Sequence, residues 1–234
     1  MNILAIGAHP DDIELSVGGT LLRYKKDGHK IYIALTTSGN IGSTTHSSRE
    51  EIAAVREAEM IEAAKFYDAE VRFLRNDDEL LHNTPETRMQ VLDAIRWANP
   101  DVIFTHHPVD HSPDHHTTAE IVSDMLLSMP ASLLPAQGVP CTKKPSVFFW
   151  EPSAGIGFQP EVYVDISDVI EEKKAALRCH VSQNAWIERF MDRSLIDMLE
   201  IVGAFRGVQC DLMYAEAFSA HRIHGYMPDF KILP

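Results

Sequence analysis

The sequence predicts an α/β fold, in which a mostly parallel sheet is flanked by helices in a single domain over residues 1–234. Three observations carry this prediction: apolar runs alternate with stretches of helical periodicity, turn residues separate them, and two of the runs end in polar clusters. Alternation of this kind is typical of parallel strands joined by crossover helices. The predicted sheet is therefore Rossmann-like in its general arrangement.

Each element is assigned from the length and period of its apolar pattern. For example, Thr84 and Pro85 are expected to begin a helix that Asn99 and Pro100 end. The predicted strands cover residues 3–6, 30–36, 70–74, 101–105, 146–150, 161–166 and 213–218. The predicted helices cover residues 13–26, 49–67, 85–98, 117–129, 167–182 and 186–205.

The composition indicates a folded chain that does not bind polyanions. Hydrophobic residues make up 45% of the 234 residues, which is enough for one sizeable core. The formal net charge is −13 at pH 7, so nucleic acids and anionic membranes would be repelled. We therefore expect no nucleic-acid or membrane partner, and an uncharged small molecule stays compatible with this charge.

The cysteine pattern and the amino-terminal residues indicate the cytoplasm. Cys141, Cys179 and Cys210 are isolated and odd in number, which is typical of free thiols in a reducing compartment. The apolar run after Asn2 is too short for a signal peptide, and no run approaches the roughly 18 apolar residues of a membrane span. The expectation is a cytoplasmic protein.

A polar cluster directly follows the first predicted strand. It contains His9, Asp11 and Asp12, while Gly7 and Pro10 break the apolar run. Open α/β sheets bind their ligands at this carboxyl end of a strand. Imidazole and carboxylate are suitable zinc ligands, and a second carboxylate beside them could act as a base toward water.

The same cluster is compatible with two roles that involve no metal ion. Asp11 or Asp12 could cap the following helix, because a side-chain oxygen there accepts backbone N–H groups. The strand, loop and helix also resemble a dinucleotide-binding unit, but the G-x-G-x-x-G pattern is absent and two carboxylates would repel a pyrophosphate. Phosphate binding is therefore disfavoured, whereas capping remains an alternative.

A second polar cluster follows the predicted strand over residues 101–105. It reads Thr105-His106-His107-Pro108-Val109-Asp110-His111-Ser112-Pro113-Asp114-His115-His116. Because parallel strands end at the same edge of a sheet, both clusters are expected to meet around one metal ion. Five histidines cannot all bind one zinc ion, and the pattern alone does not choose among them.

The two clusters together resemble the motifs of the PIG-L/LmbE family of zinc-dependent N-deacetylases. The resemblance rests on Ala-His-Pro-Asp-Asp at residues 8–12, Gly-Gly-Thr at residues 18–20 and Pro-x-Asp-x-x-x-Asp-His at residues 108–115. Weaker matches are Arg56-x-x-Glu59, residues 173–183 and residues 215–218. The resemblance implies an enzyme that removes acetyl groups from N-acetylglucosamine-type amides.

The resemblance also implies roles for individual residues. Carried over by position, the zinc ligands are His9, Asp12 and His115, and the base is Asp11. The residues alone do not favour Asp12 over Asp11 as the ligand. Substrate-binding roles are implied for four further residues, which are Arg56, Asp110, His111 and His180.

Two of these substrate-binding roles have ordinary structural alternatives. Arg56 could be a solvated arginine paired with Glu59 on the same helix. His180 lies at the end of a predicted helix, where an imidazole suits the negative terminus of the helix dipole. Both alternatives stay open at the level of the sequence.

The chain departs from the family pattern at Ser112. Many members of the family have His-Pro-Asp-His where this chain has Ser-Pro-Asp-His, and that first histidine helps to stabilise the tetrahedral intermediate. The resemblance therefore leaves the oxyanion donor open: His111, His180, or zinc together with another group.

Two loops next to the predicted strands have no assigned chemistry. Residues 37–48 contain glycines, serines and threonines, and form either a plain connection or a lid over the site. The acidic run Asp77-Asp78-Glu79 is expected to be a solvated loop.

The function expected from these motifs is hydrolysis of an N-acetylated amino sugar, with Zn²⁺ as the cofactor. The alternatives are a metal-dependent esterase or other hydrolase, and a non-catalytic metal- or sugar-binding module. The retained Asp11 argues against a pure binding module, which needs no spare base. The resemblance also implies a homo-oligomer.

Overall fold

The computed structural model describes residues 1–227 and 229–234, and in them the chain forms one sheet with helices on both faces. The seven strands of this described part are β1 (Asn2–Gly7), β2 (Lys30–Thr37), β3 (Glu70–Asn76), β4 (Val102–Thr105), β5 (Ser146–Trp150), β6 (Val162–Asp165) and β7 (Ala215–Ala220). Their order is β3-β2-β1-β4-β5-β7-β6. Strands β1 to β5 pair in parallel, and β7 pairs antiparallel with β5 and β6. The predicted mostly parallel α/β fold is confirmed.

Helices connect the strands in the order that the alternation predicts. They are α1 (Asp12–Ser16), α2 (Gly18–Lys26), α3 (Arg49–Ala64), α4 (Pro85–Ala98), α5 (Pro113–Met125), α6 (Ile170–Leu177), α7 (Val181–Phe190) and α8 (Leu195–Gln209). Among the residues described, no helix has the length and apolar character that a bilayer crossing requires.

The central strands are buried on both faces, because neighbouring side chains along a strand point to opposite sides of the sheet. On β1, Ile3 and Ala5 join the core cluster shared with α2 and α6, whereas Leu4 and Ile6 join the cluster shared with α4 and α5. All four residues are fully buried. This explains why the strand reads as a continuous apolar run.

The predicted helix over residues 13–26 is two helices that break at Val17. Glu216 of β7 accepts hydrogen bonds from the backbone N–H groups of Gly19 and Thr20 at the start of α2. A Cβ on Gly19 would lie 2.5 Å from Ile166 Cγ2, so only glycine allows this close approach. A partner nearly 200 residues away therefore sets the break, and the local pattern does not reveal it.

The carboxyl-terminal helices also differ from the predicted boundaries. The predicted helix over residues 186–205 is divided between α7 and α8, because Ser194 and Asp197 form a capping box that begins α8. Helix α5 begins at Pro113, four residues before the predicted start at Thr117, and so carries His115 in its first turn.

The topology brings the two polar clusters together. Strands β1 and β4 are parallel neighbours, with Ile6 paired to Thr105 near their carboxyl ends. The segments that leave these two strands therefore emerge side by side at one edge of the sheet. Because β7 runs antiparallel and Trp150 pairs with Phe218, the first residues of β7 extend past the end of β5 at this same edge.

Candidate metal centre

Three side chains converge at the carboxyl edge of β1 and β4, each from a different local structure. His9 follows β1, Asp12 is the first residue of α1 and His115 lies in the first turn of α5. His9 Nδ1 and His115 Nε2 are 3.2 Å apart, His115 Nε2 and Asp12 Oδ1 are 3.3 Å apart, and His9 Nδ1 and Asp12 Oδ2 are 3.6 Å apart. One atom from each residue is thus available to a shared ion.

These separations fit a tetrahedral zinc ion. Zinc binds nitrogen and oxygen ligands at about 2.0–2.1 Å, so two ligands at the tetrahedral angle lie about 3.3 Å apart. The separations of 3.2 and 3.3 Å lie close to that value, and the separation of 3.6 Å, which is measured to the other oxygen of Asp12, lies slightly above it. Two imidazoles and one carboxylate also match a catalytic zinc site, which keeps a further position open. The residues present therefore fit a bound divalent metal ion.

The second ring nitrogen of His9 is held by two carboxylates. His9 Nε2 lies 3.0 Å from Asp78 Oδ1 and 3.2 Å from Asp114 Oδ2. Asp114 is itself fixed by the backbone N–H groups of Glu79 and Leu81. Burial lowers the pKa of His9, but hydrogen bonds to Asp114, Asp12 and Asp78 raise it well above its usual value. The carboxylates thus favour a positive charge here.

His115 is oriented in the same way by Asp110. Its Nδ1 lies 3.1 Å from Asp110 Oδ2, which leaves Nε2 facing His9 and Asp12. Burial lowers the pKa of His115, but Asp12 and Asp110 raise it to about 9. Burial alone would raise the pKa of Asp110, yet the hydrogen bond to His115 lowers it to about 2. Asp110 therefore stays ionised and fixes the ring that presents Nε2 to an ion.

His106 supports Asp12 from the interior of the sheet. The indole N–H of Trp150 donates to His106 Nδ1, so the neutral ring carries its proton on Nε2 and donates it to Asp12 Oδ2 at 3.0 Å. Burial and the charge of His115 lower the pKa of His106 to about 4, which agrees with a neutral ring. The backbone N–H groups of Ala8 and His9 donate to the same Asp12 oxygen.

Asp11 lies beside the three converging side chains in a strained backbone conformation. Its φ of 121° falls in a region that residues with a Cβ rarely adopt, and its side chain caps no backbone N–H of α1. Burial raises its pKa to about 6, while the charge of Arg56 opposes this rise. A side chain held this way does not fit the capping alternative and is suited to exchange a proton near neutral pH.

Arg56 is buried under the loop that carries Asp11. It is 2% exposed, and its guanidinium donates to the carbonyl oxygens of Pro10 and Gly39 and lies 3.3 Å from Asp11 Oδ1. Glu59 instead accepts hydrogen bonds from Ser182. The arrangement differs from a solvated Arg56–Glu59 pair, and it fixes both Asp11 and the loop after β2.

Two cavities meet at the converging side chains. The outer cavity has a volume of about 550 Å³ and is lined by both polar and apolar residues, among them His9, Asp11, Arg56, Ile41, Gly42, His111, Ile156, Trp186 and Ile187. The inner cavity has a volume of about 70 Å³. It is lined by apolar residues of β5, α8 and β7, among them Trp150, Leu199, Val202, Gly203, Ala215 and Ala217, and by polar residues that include His106, Asp110, Glu151, Lys173 and Glu216. Both cavities are bordered by Asp12, Leu15, His115, Ser153, Ala154 and Met198.

The other residues singled out by the sequence lie at different depths. His111 is exposed at the rim of the outer cavity and its Nδ1 lies 3.1 Å from Asp110 Oδ1. His180 is fully buried, with Nε2 2.9 Å from Glu14 Oε2. Among the residues described, no partner reaches Ser112 Oγ or the other ring nitrogen of His180. Of the candidate oxyanion donors, His111 is the one that borders the outer cavity.

Three residues of the centre are absent from the predicted set. The expected solvated loop after β3 is wrong for Asp78, which is 5% exposed and contacts His9. Asp114 and His106 lie inside the distal motif but had no assigned role. For Asp78 the available signal is its position just beyond the carboxyl end of a strand, which is the same position that singled out His9.

The chain is similar to a known protein family over its amino-terminal half. Residues 4–126 match the family described as PIG-L, GlcNAc-PI de-N-acetylase, and this segment includes the converging side chains, Asp11 and Arg56. The chain is 28% identical over 192 residues to a probable N-acetyl-alpha-D-glucosaminyl L-malate deacetylase 2 of Bacillus anthracis, covering 79% of this chain and 82% of that protein.

Solved structures share the fold over almost the whole chain. The N,N'-diacetylchitobiose deacetylase of Pyrococcus horikoshii has a TM-score of 0.83 at 24% identity, over 97% of this chain and 86% of its own. The 4-carboxy-2-hydroxymuconate hydratase of Pseudomonas putida KT2440 has a TM-score of 0.82 at 20% identity, over 97% and 100%. The same fold thus occurs with two different reactions, so the fold alone does not identify a substrate.

Proposed function

Since the chain belongs to the PIG-L family of N-deacetylases, we propose that it is a zinc-dependent hydrolase of an N-acetylglucosamine-type amide, giving acetate and a free amine. The metal ligands in this proposal are His9, Asp12 and His115. The catalytic base is Asp11. Substrate contacts are assigned to Arg56 and His111, which border the outer cavity. Asp110 orients the rings of His111 and His115, and His180 supports the site from the interior through Glu14.

One observation supports the proposal more than any other. Ligand atoms of three side chains lie at separations close to those that a tetrahedral ion requires, and a fourth side chain, the carboxylate of Asp11, borders the same outer cavity without joining them. A site that only stores a metal ion has no need for a buried acid whose pKa is raised to about 6. A hydrolase needs such a group to remove a proton from water.

The side chains of the centre divide the reaction between them. Zinc, when bound, supplies a positive charge that acidifies water and polarises the amide carbonyl. Asp11 accepts the proton of the attacking water and returns it to the amide nitrogen, because an unprotonated nitrogen is a very poor leaving group. Arg56 lies 3.3 Å from the Asp11 carboxylate and donates hydrogen bonds to the carbonyl oxygens of Pro10, next to Asp11, and of Gly39, in the loop after β2.

The developing oxyanion needs a donor where the chain has Ser112. His111 borders the outer cavity, and its Nδ1 lies 3.1 Å from Asp110 Oδ1, which orients the ring. An N–H group of this ring can donate toward negative charge in the cavity. We therefore assign the oxyanion contact to His111 ahead of His180, which borders neither cavity.

The shape of the outer cavity supports a sugar-sized substrate. Its volume of about 550 Å³ lies within the range of small-molecule sites, roughly 300–1,000 Å³. Its wall combines polar groups with exposed apolar side chains such as Ile156 and the ring of Trp186. The relative from Bacillus anthracis is named for an N-acetylglucosaminyl conjugate, and we propose the same chemical class here.

The test is to measure acetate release and zinc content for Asp11→Asn. We expect a loss of about 10²–10⁴-fold in kcat with zinc content unchanged, because the amide cannot take the proton. The control is Asp77→Asn, an exposed carboxylate of the loop after β3 that borders neither cavity. It should behave as the unaltered protein. If Asp11→Asn turned over at the original rate, Asp11 would not be the base.

A panel of substrates separates the remaining alternatives. Release of acetate from O-acetyl sugars but not from N-acetyl sugars would identify an esterase. If the protein binds the sugars but releases acetate from neither the N-acetyl nor the O-acetyl compounds, it is a binding module. Because one structural neighbour is a hydratase of 4-carboxy-2-hydroxymuconate, the panel should include an unsaturated tricarboxylic acid monitored by its ultraviolet absorbance. Hydration of that acid without amide cleavage would overturn the proposal.

Two further features stay predictions. The family resemblance implies a homo-oligomer, which light scattering of the purified chain would test. The cytoplasmic location follows from the sequence pattern and is tested by fractionation of the cells that produce the protein.

A further inference from the structure

The inner cavity is a second space that begins at the metal centre. It is bordered by Asp12 and His115 on one side, and it extends between the end of β5, the start of β7 and helix α8. Leu15 and Met198 border it together with the outer cavity, so the two spaces adjoin across these side chains. A group bound at the centre can therefore extend in two directions.

The wall of the inner cavity is suited to a hydrocarbon group. Met198, Leu199 and Val202 share one face of α8, because positions three and four apart are neighbours on a helix. Three charged side chains of the wall have charged partners: Lys173 Nζ lies 2.7 Å from Glu216 Oε1, and Glu151 Oε2 accepts a hydrogen bond from Arg206 Nε at 2.6 Å, while Glu151 Oε1 has no partner among the residues described. The other two acids of the wall, Asp12 and Asp110, lie beside His115 at the metal centre, so the apolar part of the wall is the side formed by α8 and β7.

The amide substrate supplies a group that must go in this second direction. Its carbonyl carbon carries the sugar nitrogen on one side and the acyl chain on the other. The sugar requires the larger outer cavity, which leaves the acyl chain to face the inner one. On the proposed function, the inner cavity is therefore the acyl site.

The volume of the inner cavity exceeds what an acetyl group fills. Its volume is about 70 Å³, on a measure in which one water molecule needs about 10–15 Å³. There is room for several non-hydrogen atoms, whereas an acetyl group would place a single methyl carbon there. We propose that the inner cavity binds the acyl chain and that the enzyme also cleaves amides of longer straight chains, such as N-propanoyl and N-butanoyl amino sugars.

The reaction stays the same for these longer chains. Water adds to the acyl carbon, the C–N bond breaks, and the products are the carboxylate and the amine. The proton taken from water goes to the nitrogen, and no other reactant is needed. Chain length then changes only the contacts that the acyl group makes with the apolar wall.

Two positions on α8 allow the cavity to be narrowed without disturbing the metal centre. Val202 is half-buried and borders the inner cavity alone, so Val202→Phe would fill part of it. At Gly203 an added Cβ would meet Tyr214 Cδ1 at 3.5 Å and Ala215 O at 4.0 Å, which is ordinary contact. Gly203→Ala is therefore tolerated sterically and also favours the helix.

The experiment compares kcat/KM for N-acetyl- and N-butanoylglucosamine in the zinc-loaded protein. We expect the unaltered protein to cleave both, and Val202→Phe to lose at least about tenfold on the butanoyl amide with little change on the acetyl amide, since one methylene in an apolar pocket is worth about 10- to 200-fold. Gly203→Ala should also lower kcat/KM for the butanoyl amide relative to the acetyl amide, but by a smaller factor. The control Ile187→Phe alters the outer cavity alone and should change both substrates equally.

Binding of the product gives a second measurement that does not depend on turnover. Butanoate should raise the melting temperature of the unaltered protein more than acetate does, and Val202→Phe should remove that difference. Cleavage of the acetyl amide alone, or equal losses on both amides in Val202→Phe, would overturn the inference and leave the proposed function standing. Cleavage of neither amide would overturn the proposed function itself.

Discussion

The amino-terminal and carboxyl-terminal parts of the chain build the site in different ways. In residues 4–126, polar side chains just beyond the strand ends of β1, β3 and β4 contact one another directly, as His9 does with Asp78 and Asp114. In β5 to β7 and α6 to α8, buried ion pairs hold the walls of the inner cavity. The first part carries the proposed reactive groups, and the second lines the inner cavity beside them.

The difference between the two parts of the chain is clearest at Glu216. Its carboxylate receives hydrogen bonds from Gly19 N, Thr20 N and Thr20 Oγ1 in the amino-terminal part, and it pairs with Lys173 of α6. All of these groups are buried, and in the described part of the chain none of them forms a hydrogen bond or ion pair with His9, Asp12 or His115. On the proposed function, the acidic residues of the motif at residues 8–12 have a chemical role, whereas the single acidic residue of the motif at residues 215–218 has a structural one.

The largest expected effect comes from removing a proposed metal ligand. His115→Ala should lose bound zinc and lower kcat by about 10³-fold or more, because the ion's charge is worth several kcal/mol to the reaction. The matched control is His116→Ala, which removes the exposed neighbouring histidine. Zinc content by atomic emission and acetate release check both. Equal losses of zinc and of acetate release in the two variants would contradict the assignment of His115, rather than His116, as a metal ligand.

Breaking the carboxyl-terminal ion pair should act on stability instead. Lys173→Met leaves the buried Glu216 carboxylate without its cation and should cost about 3–5 kcal/mol in the free energy of unfolding. Lys174→Met is the control: Lys174 is also buried, but its partners Glu171 and Glu200 are exposed and stay solvated when the lysine is removed, so we expect a smaller loss. Urea unfolding measures both. Loss of zinc from folded Lys173→Met would contradict a purely structural role.

This division explains what the sequence predicts and what it does not. The location of the site at the end of β1 is predictable from four apolar residues and the polar cluster after them, because the end of a strand is visible in the local sequence pattern. The break at Val17 and the buried state of Asp78 depend on partners far away in sequence, Glu216 and His9 respectively. The antiparallel direction of β7 likewise depends on tertiary pairing and has no local signal.

A smaller effect is expected from the group that orients His115. Asp110→Asn replaces the ionised partner of His115 Nδ1 and should weaken zinc binding by about 10- to 100-fold. Competition with a chelator of known affinity measures this change, and the exposed Asp124→Asn serves as the control. An unchanged zinc affinity in Asp110→Asn would mean that the ring is held by its packing alone.

The smallest effect concerns the pH dependence of stability at His180. Burial lowers the pKa of His180, but Glu14 and then Asp11 raise it above its usual value, against the charge of Arg56. A raised folded pKa contributes stability that is fully present below about pH 6.5 and is lost as the pH rises through the folded value. The difference in unfolding free energy between the unaltered protein and His180→Gln should therefore shrink from pH 6 to pH 9.

That measurement also separates the two roles of His180. A difference that grows with pH would contradict the Glu14 pairing as the source of the shift. If His180→Gln instead keeps its stability at every pH but loses kcat, the imidazole contributes to the reaction rather than to the fold.

The central claim is that His9, Asp12 and His115 share one ion, and the anomalous diffraction of zinc-loaded crystals tests it most directly. We predict one peak within about 2.0–2.3 Å of His9 Nδ1, a carboxylate oxygen of Asp12 and His115 Nε2. Two neighbouring groups could hold a cation instead, namely His106 with Asp110 and His115, and His9 with Asp78 and Asp114. A peak at either of these, or the absence of a peak from the site, would contradict the account.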